Sequence, residues 1–180
     1  MARPTTIAAA LASLLTAGAL IPHSAGAQAA AAAGSSPGSQ WLKWDAASRT
    51  VTFELIAGGE GAKSPFNFNG YTDGEANLIV PPGSAVVMNF VQLDGTPHSA
   101  EIIADKEPMP SMAGEPAIPR AYTNKAAEGL PQEAKDVIRF TAPDSGSFRI
   151  FCGVPGHGLS GMWIRFSVDP AAKEPRFEVK

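Results

Sequence analysis

Seven stretches between residues 50 and 168, none longer than eight residues, carry the apolar side chains of this chain, and turn-forming residues separate them. In TVTFELI (50–56), Val51, Phe53 and Leu55 alternate with polar neighbours. ANLIV (76–80) is stopped by Pro81-Pro82-Gly83, and AVVMNFVQ (85–92) is nearly continuous and followed by Asp94-Gly95. HSAEII (98–103), VIRFTA (137–142), SFRIFC (147–152) and MWIRFSV (162–168) follow the same style. These segments predict an all-β sandwich. Residues 104–135 depart from the pattern. They are rich in Pro, Ala and Glu and predict one long excursion, partly helical, with a short helix over 120–128 ended by Gly129 and Pro131.

The N-terminal 40 residues read differently. Arg3, an apolar run from Ile7 to Ile21 and Ala25-Gly26-Ala27 have the layout of an export signal over residues 1–27, with cleavage before Gln28. The apolar run is short for a membrane span. Residues 28–40, Ala, Gly, Ser and Pro without charge, read as a flexible linker. Residues 41–180 then form one domain, expected in the periplasm or outside the cell, monomeric and without stable membrane insertion. Loss of residues 1–27 leaves 13 basic against 17 acidic residues, a net charge of −4, dispersed without basic runs. Nucleic acid is excluded as a natural partner.

A single cysteine, Cys152, is unusual in an exported chain, where cysteines pair. His157 and Met162 follow it at intervals of five. With His23 in the signal, the mature chain has two histidines, His98 and His157. Strand alternation points His98, Cys152 and Met162 inward at strand ends, with His157 on the loop between Cys152 and Met162. Each residue alone has a plainer reading, as core filling or as a surface imidazole. Together, two imidazoles, a thiolate and a thioether select copper, and His₂Cys with a weak axial Met is the blue-copper electron-transfer geometry. Zinc seldom uses Met. A bound metal also accounts for a thiol kept out of disulfide exchange. A Cys–His nucleophile pair is the enzymatic alternative, but an inward-facing Cys152 beside Met162 argues against it. One cysteine and two histidines also exclude a multicopper oxidase and a binuclear copper centre.

The loop FCGVPGHGLSGMW (151–163) resembles the copper loop of the cupredoxins, and its four-residue Cys–His gap resembles the sulfocyanin and rusticyanin group. FNFNGY (66–71) and PHSAEI (97–102) are similar to sulfocyanin segments. The resemblance implies a Greek-key β-sandwich holding one type 1 copper ion through His98, Cys152, His157 and axial Met162. It further implies that the Ser99 N–H donates to the Cys152 sulfur and that the reduction potential is relatively high. Asn67 and Asn69 would either tie strands or the ligand loop together, or only shape a turn. The expected function is electron transfer, with redox partners docking on Val154, Pro155 and Leu159 around His157. The alternative is a copper chaperone or storage protein that delivers copper to an oxidase, supported by Met109 and Met112 in EPMPSMAG.

Overall fold

The computed structural model describes Met1 and residues 38–180; the expected signal and residues 28–37 of the expected linker lie outside the described residues. Among the described residues nine strands form two sheets. They are β1 (Leu42–Asp45), β2 (Thr50–Ala57), β3 (Ala76–Val80), β4 (Ala85–Gln92), β5 (Glu101–Ala104), β6 (Lys135–Thr141), β7 (Gly146–Phe151), β8 (Trp163–Val168) and β9 (Arg176–Val179). One sheet has the order β1-β2-β4-β6 and the other β5-β7-β8-β3-β9. Two parallel pairings, β2 with β4 and β3 with β8, sit among antiparallel neighbours. Among the described residues no helix is long and apolar enough to cross a membrane.

The period-2 pattern decides what the sheets bury. In β2 every second residue is buried, so Val51, Phe53, Leu55 and Ala57 line one face. In β4, Val86, Met88 and Phe90 do the same. The opposing sheet supplies Leu78, Ile102, Ile150, Ile164 and Phe166, all fully buried. The core is therefore the space between two apolar faces, as alternation requires.

Strands β1 and β9 were not expected. In LKWD the alternation is only half-buried against exposed, and in RFEV only Phe177 is buried. Phe177 stacks on Phe53 at 5.4 Å between ring centroids, and Trp41 and Tyr71 pack against its ring. Gly38–Gln40, the end of the expected linker, form a turn in which the Trp41 N–H donates to Gly38 O. A Cβ on Gly38 would overlap the Phe177 ring.

The excursion corrects the sequence reading, because residues 120–128 form no helix. Arg120 and Lys125 have φ of 64° and 55°, in the left-handed region. One helical-type bond remains, from the Gly129 N–H to Lys125 O. The competing partner is the free edge of β5. Ile102 N–H donates to Ala121 O and Thr123 N–H to Ala100 O, so residues 121–123 pair along that edge instead of coiling.

Phe53 links the sandwich core to β9. Phe53→Ala is expected to cost about 3–5 kcal/mol, read as a lower urea midpoint with little change in the slope of the transition.

Candidate metal centre

The antiparallel β7–β8 ladder ends with Phe151 opposite Trp163. One further bond extends it, from the Cys152 N–H to Met162 O at 3.0 Å. Cys152 and Met162 therefore lie one residue outside the strands expected to contain them, and both are fully buried. Residues 153–161 turn back on themselves between the two. Met162 N–H donates to His157 O, and His157 N–H donates to Val154 O. Met162 is thus clasped through its backbone to both Cys152 and His157. Gly158 is required here because a Cβ would overlap the Phe151 ring.

His98 arrives from the other side, three residues before β5. Its N–H and carbonyl exchange bonds with Leu130 of the excursion at 3.3 and 2.7 Å, and its ring is fully buried. His98 Nδ1 lies 3.1 Å from His157 Nδ1 and 4.0 Å from Cys152 Sγ, while His157 Nδ1 lies 3.6 Å from Sγ. For metal–nitrogen and metal–sulfur bonds of about 2.0 and 2.3 Å, three donors around one ion in a plane stand about 3.5–3.7 Å apart. The observed triangle brackets that spacing, so His98, Cys152 and His157 fit a single ion of this size. These three are a group able to hold a metal.

The electrostatics suit metal binding. Burial pushes the His98 imidazole below its ordinary value, against the pull of Asp94. Burial, then the neighbouring His98, does the same to His157. Both rings are therefore neutral, with lone pairs available near neutral pH. Burial raises the Cys152 thiol, partly offset by N–H donors from Ser99 and Val154. The proton stays on sulfur until a cation displaces it.

Around these side chains stands a hydrogen-bonded shell. Ser99 N–H points at Cys152 Sγ at 3.5 Å, as expected. Ser99 Oγ donates to Ala126 O and accepts from Gly153 N–H, joining the excursion to the Cys152 loop. The same loop is strapped by Ser111 O, which accepts from Gly156 N–H, and by Ala113 N–H, which donates to Gly153 O. Asn67 shapes its turn, its Oδ1 accepting from Gly59 and Gly70 N–H. Asn69 ties that turn to β2, accepting from Ile56 N–H and donating to Glu54 O.

Two neighbours of the site were missed in the sequence. Phe66 lies against the His157 ring at 4.6 Å and edge-on to His98 at 6.2 Å. It sits in FNFNGY, where only the asparagines drew attention. Asp94, read only as a turn residue, faces His98 Nε2 at 3.3–3.4 Å. Its place four residues before the histidine was the available signal. Of the residues expected to receive partners, Leu159 is exposed (57%), Pro155 is exposed and Val154 is half-buried.

The sulfocyanin (SoxE) domain family model matches residues 37–177. A sulfocyanin from Sulfolobus acidocaldarius is 24% identical over 127 residues, covering 67% of this chain. The chain spans 64% of the length of that relative. Rusticyanin from Thiobacillus ferrooxidans superposes with a TM-score of 0.50 at 24% identity, over 72% of this chain and 88% of that one. Auracyanin B also gives a TM-score of 0.50, at 21% identity, over 66% and 88%. At these identities the structural likeness establishes the fold.

Glu101 holds the strap beneath this shell. It is buried, with Oε2 accepting from Gly114 N–H and Oε1 without a partner among the described residues. Burial raises its carboxyl above the ordinary value, against that one N–H. The unfolded chain releases the proton at lower pH than the folded protein, so stability falls as pH rises between the two values. Glu101→Gln is expected to remove this loss. Urea midpoints of the variant and the parent should diverge as pH rises above about 4. Parallel curves would mean that Glu101 titrates alike in both states.

Proposed function

The chain belongs to the sulfocyanin family, and from that premise we propose that it is an exported type 1 copper protein that carries single electrons between redox partners. The observation that carries this reading is the close, buried grouping of His98 Nδ1, His157 Nδ1 and Cys152 Sγ at the end of a rigid sandwich. Met162, clasped to Cys152 and His157 and fully buried, would be the fourth, weak ligand to the ion. Copper, when bound, supplies the one-electron Cu(I)/Cu(II) couple.

The residues of the chain do the rest. Strand ends and strap bonds hold Cys152 and His98 in one arrangement for both oxidation states. Phe66 and the buried rings exclude water from the donors. His157 is the half-exposed ligand, and Pro155 and Leu159 stand exposed beside it. An apolar rim of this kind suits brief docking of a redox partner, with the His157 ring as the contact nearest the metal. On this reading the protein is an electron carrier.

A second reading has one observation in its favour. Met112 is exposed and lies between Ser111 and Ala113, the two residues that bond the Cys152–His157 loop. A thioether there suits delivery of Cu(I). A copper-delivery protein would release the ion on reduction, whereas a carrier retains it.

Copper(II) titration of the purified protein is expected to give an intense visible charge-transfer band with 1:1 stoichiometry, bleached by reductant and restored by oxidant without loss of metal. Cys152→Ser should abolish the band. Metal lost on each reduction would favour delivery over electron transfer. For the docking surface, Leu159→Glu is expected to slow reduction by a physiological partner while leaving the band unchanged. An unaltered rate would move docking away from this rim.

A further inference from the structure

Asp94 does more than turn the chain. Its Oδ1 accepts from Thr96 N–H at 2.9 Å and from Gln92 Nε2 at 3.1 Å. Gln92 is itself fully buried, and its amide also donates to the carbonyls of Asp94 and Thr96. Gly58, with φ of 68°, leaves open the space beside the carboxylate, where a Cβ would overlap it. Asp94 is therefore fixed before any metal arrives. Its two oxygens lie 3.3 and 3.4 Å from His98 Nε2. On its outer side a cleft of about 350 Å³, lined by Gly58, Glu60, Leu93, Asp94 and Gln132, gives water access to the anion.

The His98 ring has two ways to sit, and only one presents Nδ1 to Cys152 and His157. The ring is fully buried and bounded edge-on by Phe66, so a donor or acceptor on its far side decides the orientation. Among the described residues, the recorded side-chain partner of Nε2 is Asp94. A carboxylate there accepts a hydrogen bond from Nε2–H and leaves Nδ1 with a free lone pair. It also makes that lone pair more basic.

We infer that Asp94 is a positioning residue for the metal centre, which fixes His98 as its Nε2–H tautomer and lowers the reduction potential by favouring the higher-charged oxidation state. The reason is electrostatic. An anion hydrogen-bonded to a ligand ring stabilises a dipositive ion more than a monopositive one. It acts against the Ser99 N–H, which stabilises charge on the Cys152 sulfur. The relatively high potential implied by the resemblance at Ser99 is accordingly moderated in this chain.

This inference rests on His98 being a ligand, and its first test needs no metal. Nitrogen-15 NMR of the metal-free parent protein, at a pH where the imidazole is neutral, is expected to show His98 as the Nε2–H tautomer. A predominant Nδ1–H tautomer would overturn the inference. The second test uses Asp94→Asn, which keeps an oxygen to accept from Thr96 N–H and removes the charge. Copper(II) affinity is expected to fall about tenfold with Cu(I) affinity little changed, a rise of about 59 mV in potential for a one-electron couple. An unchanged or lower potential in Asp94→Asn would overturn the inference, even if the variant melted at a lower temperature. A parent protein that bound no copper would sink the proposed function, and the tautomer result would still decide the orientation of His98.

Discussion

The hydrogen bond from the Cys152 N–H to Met162 O is the constraint on which the site depends. It adds one rung to the β7–β8 ladder beyond the last paired residues and fixes where the loop must leave and return. Nine residues then have to close over a short gap, and turn bonds within 154–162 consume their backbone groups. His157 is held over Cys152 because Met162 N–H caps its carbonyl. Three of the four proposed ligands are thus set by one hairpin end. The rigidity that the proposed electron transfer needs would come from continuing a sheet.

The fourth ligand has to come from elsewhere, and the sandwich alone would not hold it. His98 precedes β5, at a sheet edge, where backbone groups lack strand partners. The excursion supplies them through Leu130, Thr123 and Ala121. This is why residues 120–128 do not coil. An isolated helix of that length is marginal, whereas edge pairing satisfies buried groups that would otherwise cost about 1–3 kcal/mol each. The arrangement leaves some groups unsatisfied, notably Glu101 Oε1 and Gln92 Oε1. Glu101 bonds the strap, and Gln92 holds the carboxylate behind His98.

What was legible in the sequence follows from the range of each interaction. Alternation is local, so the seven central strands and the burial of Cys152 and Met162 could be read directly, whereas His98 lies three residues before β5 in a stretch buried on both faces. Strands β1 and β9 could not be read this way: β1 pairs with its neighbour β2 but buries no side chain fully, and in β9 the single buried residue, Phe177, docks on Phe53, remote in sequence. The failed helix has the same origin, since the edge it pairs with is remote in sequence. Phe66 meets His157 across 91 positions and gives no periodic signal. Asp94 is a subtler case. It does form the expected turn through Thr96, and one role concealed the other.

Ligand identity and site energetics are therefore separate layers of this molecule. The four proposed ligands lie in segments whose spacing marks them, and any chain with the same four would offer the same donor atoms. The charges acting on those donors come from Ser99, Val154 and Asp94, which pull in opposite directions. N–H groups from Ser99 and Val154 stabilise charge on sulfur, while a carboxylate stabilises charge on the metal side of His98. Because these influences oppose, the potential of a metal held here would be a difference between them and would move when either is altered. Two chains with identical ligand loops can therefore work at different potentials. Of these three residues, Ser99 and Asp94 lie outside the 151–163 loop, while Val154 lies within it.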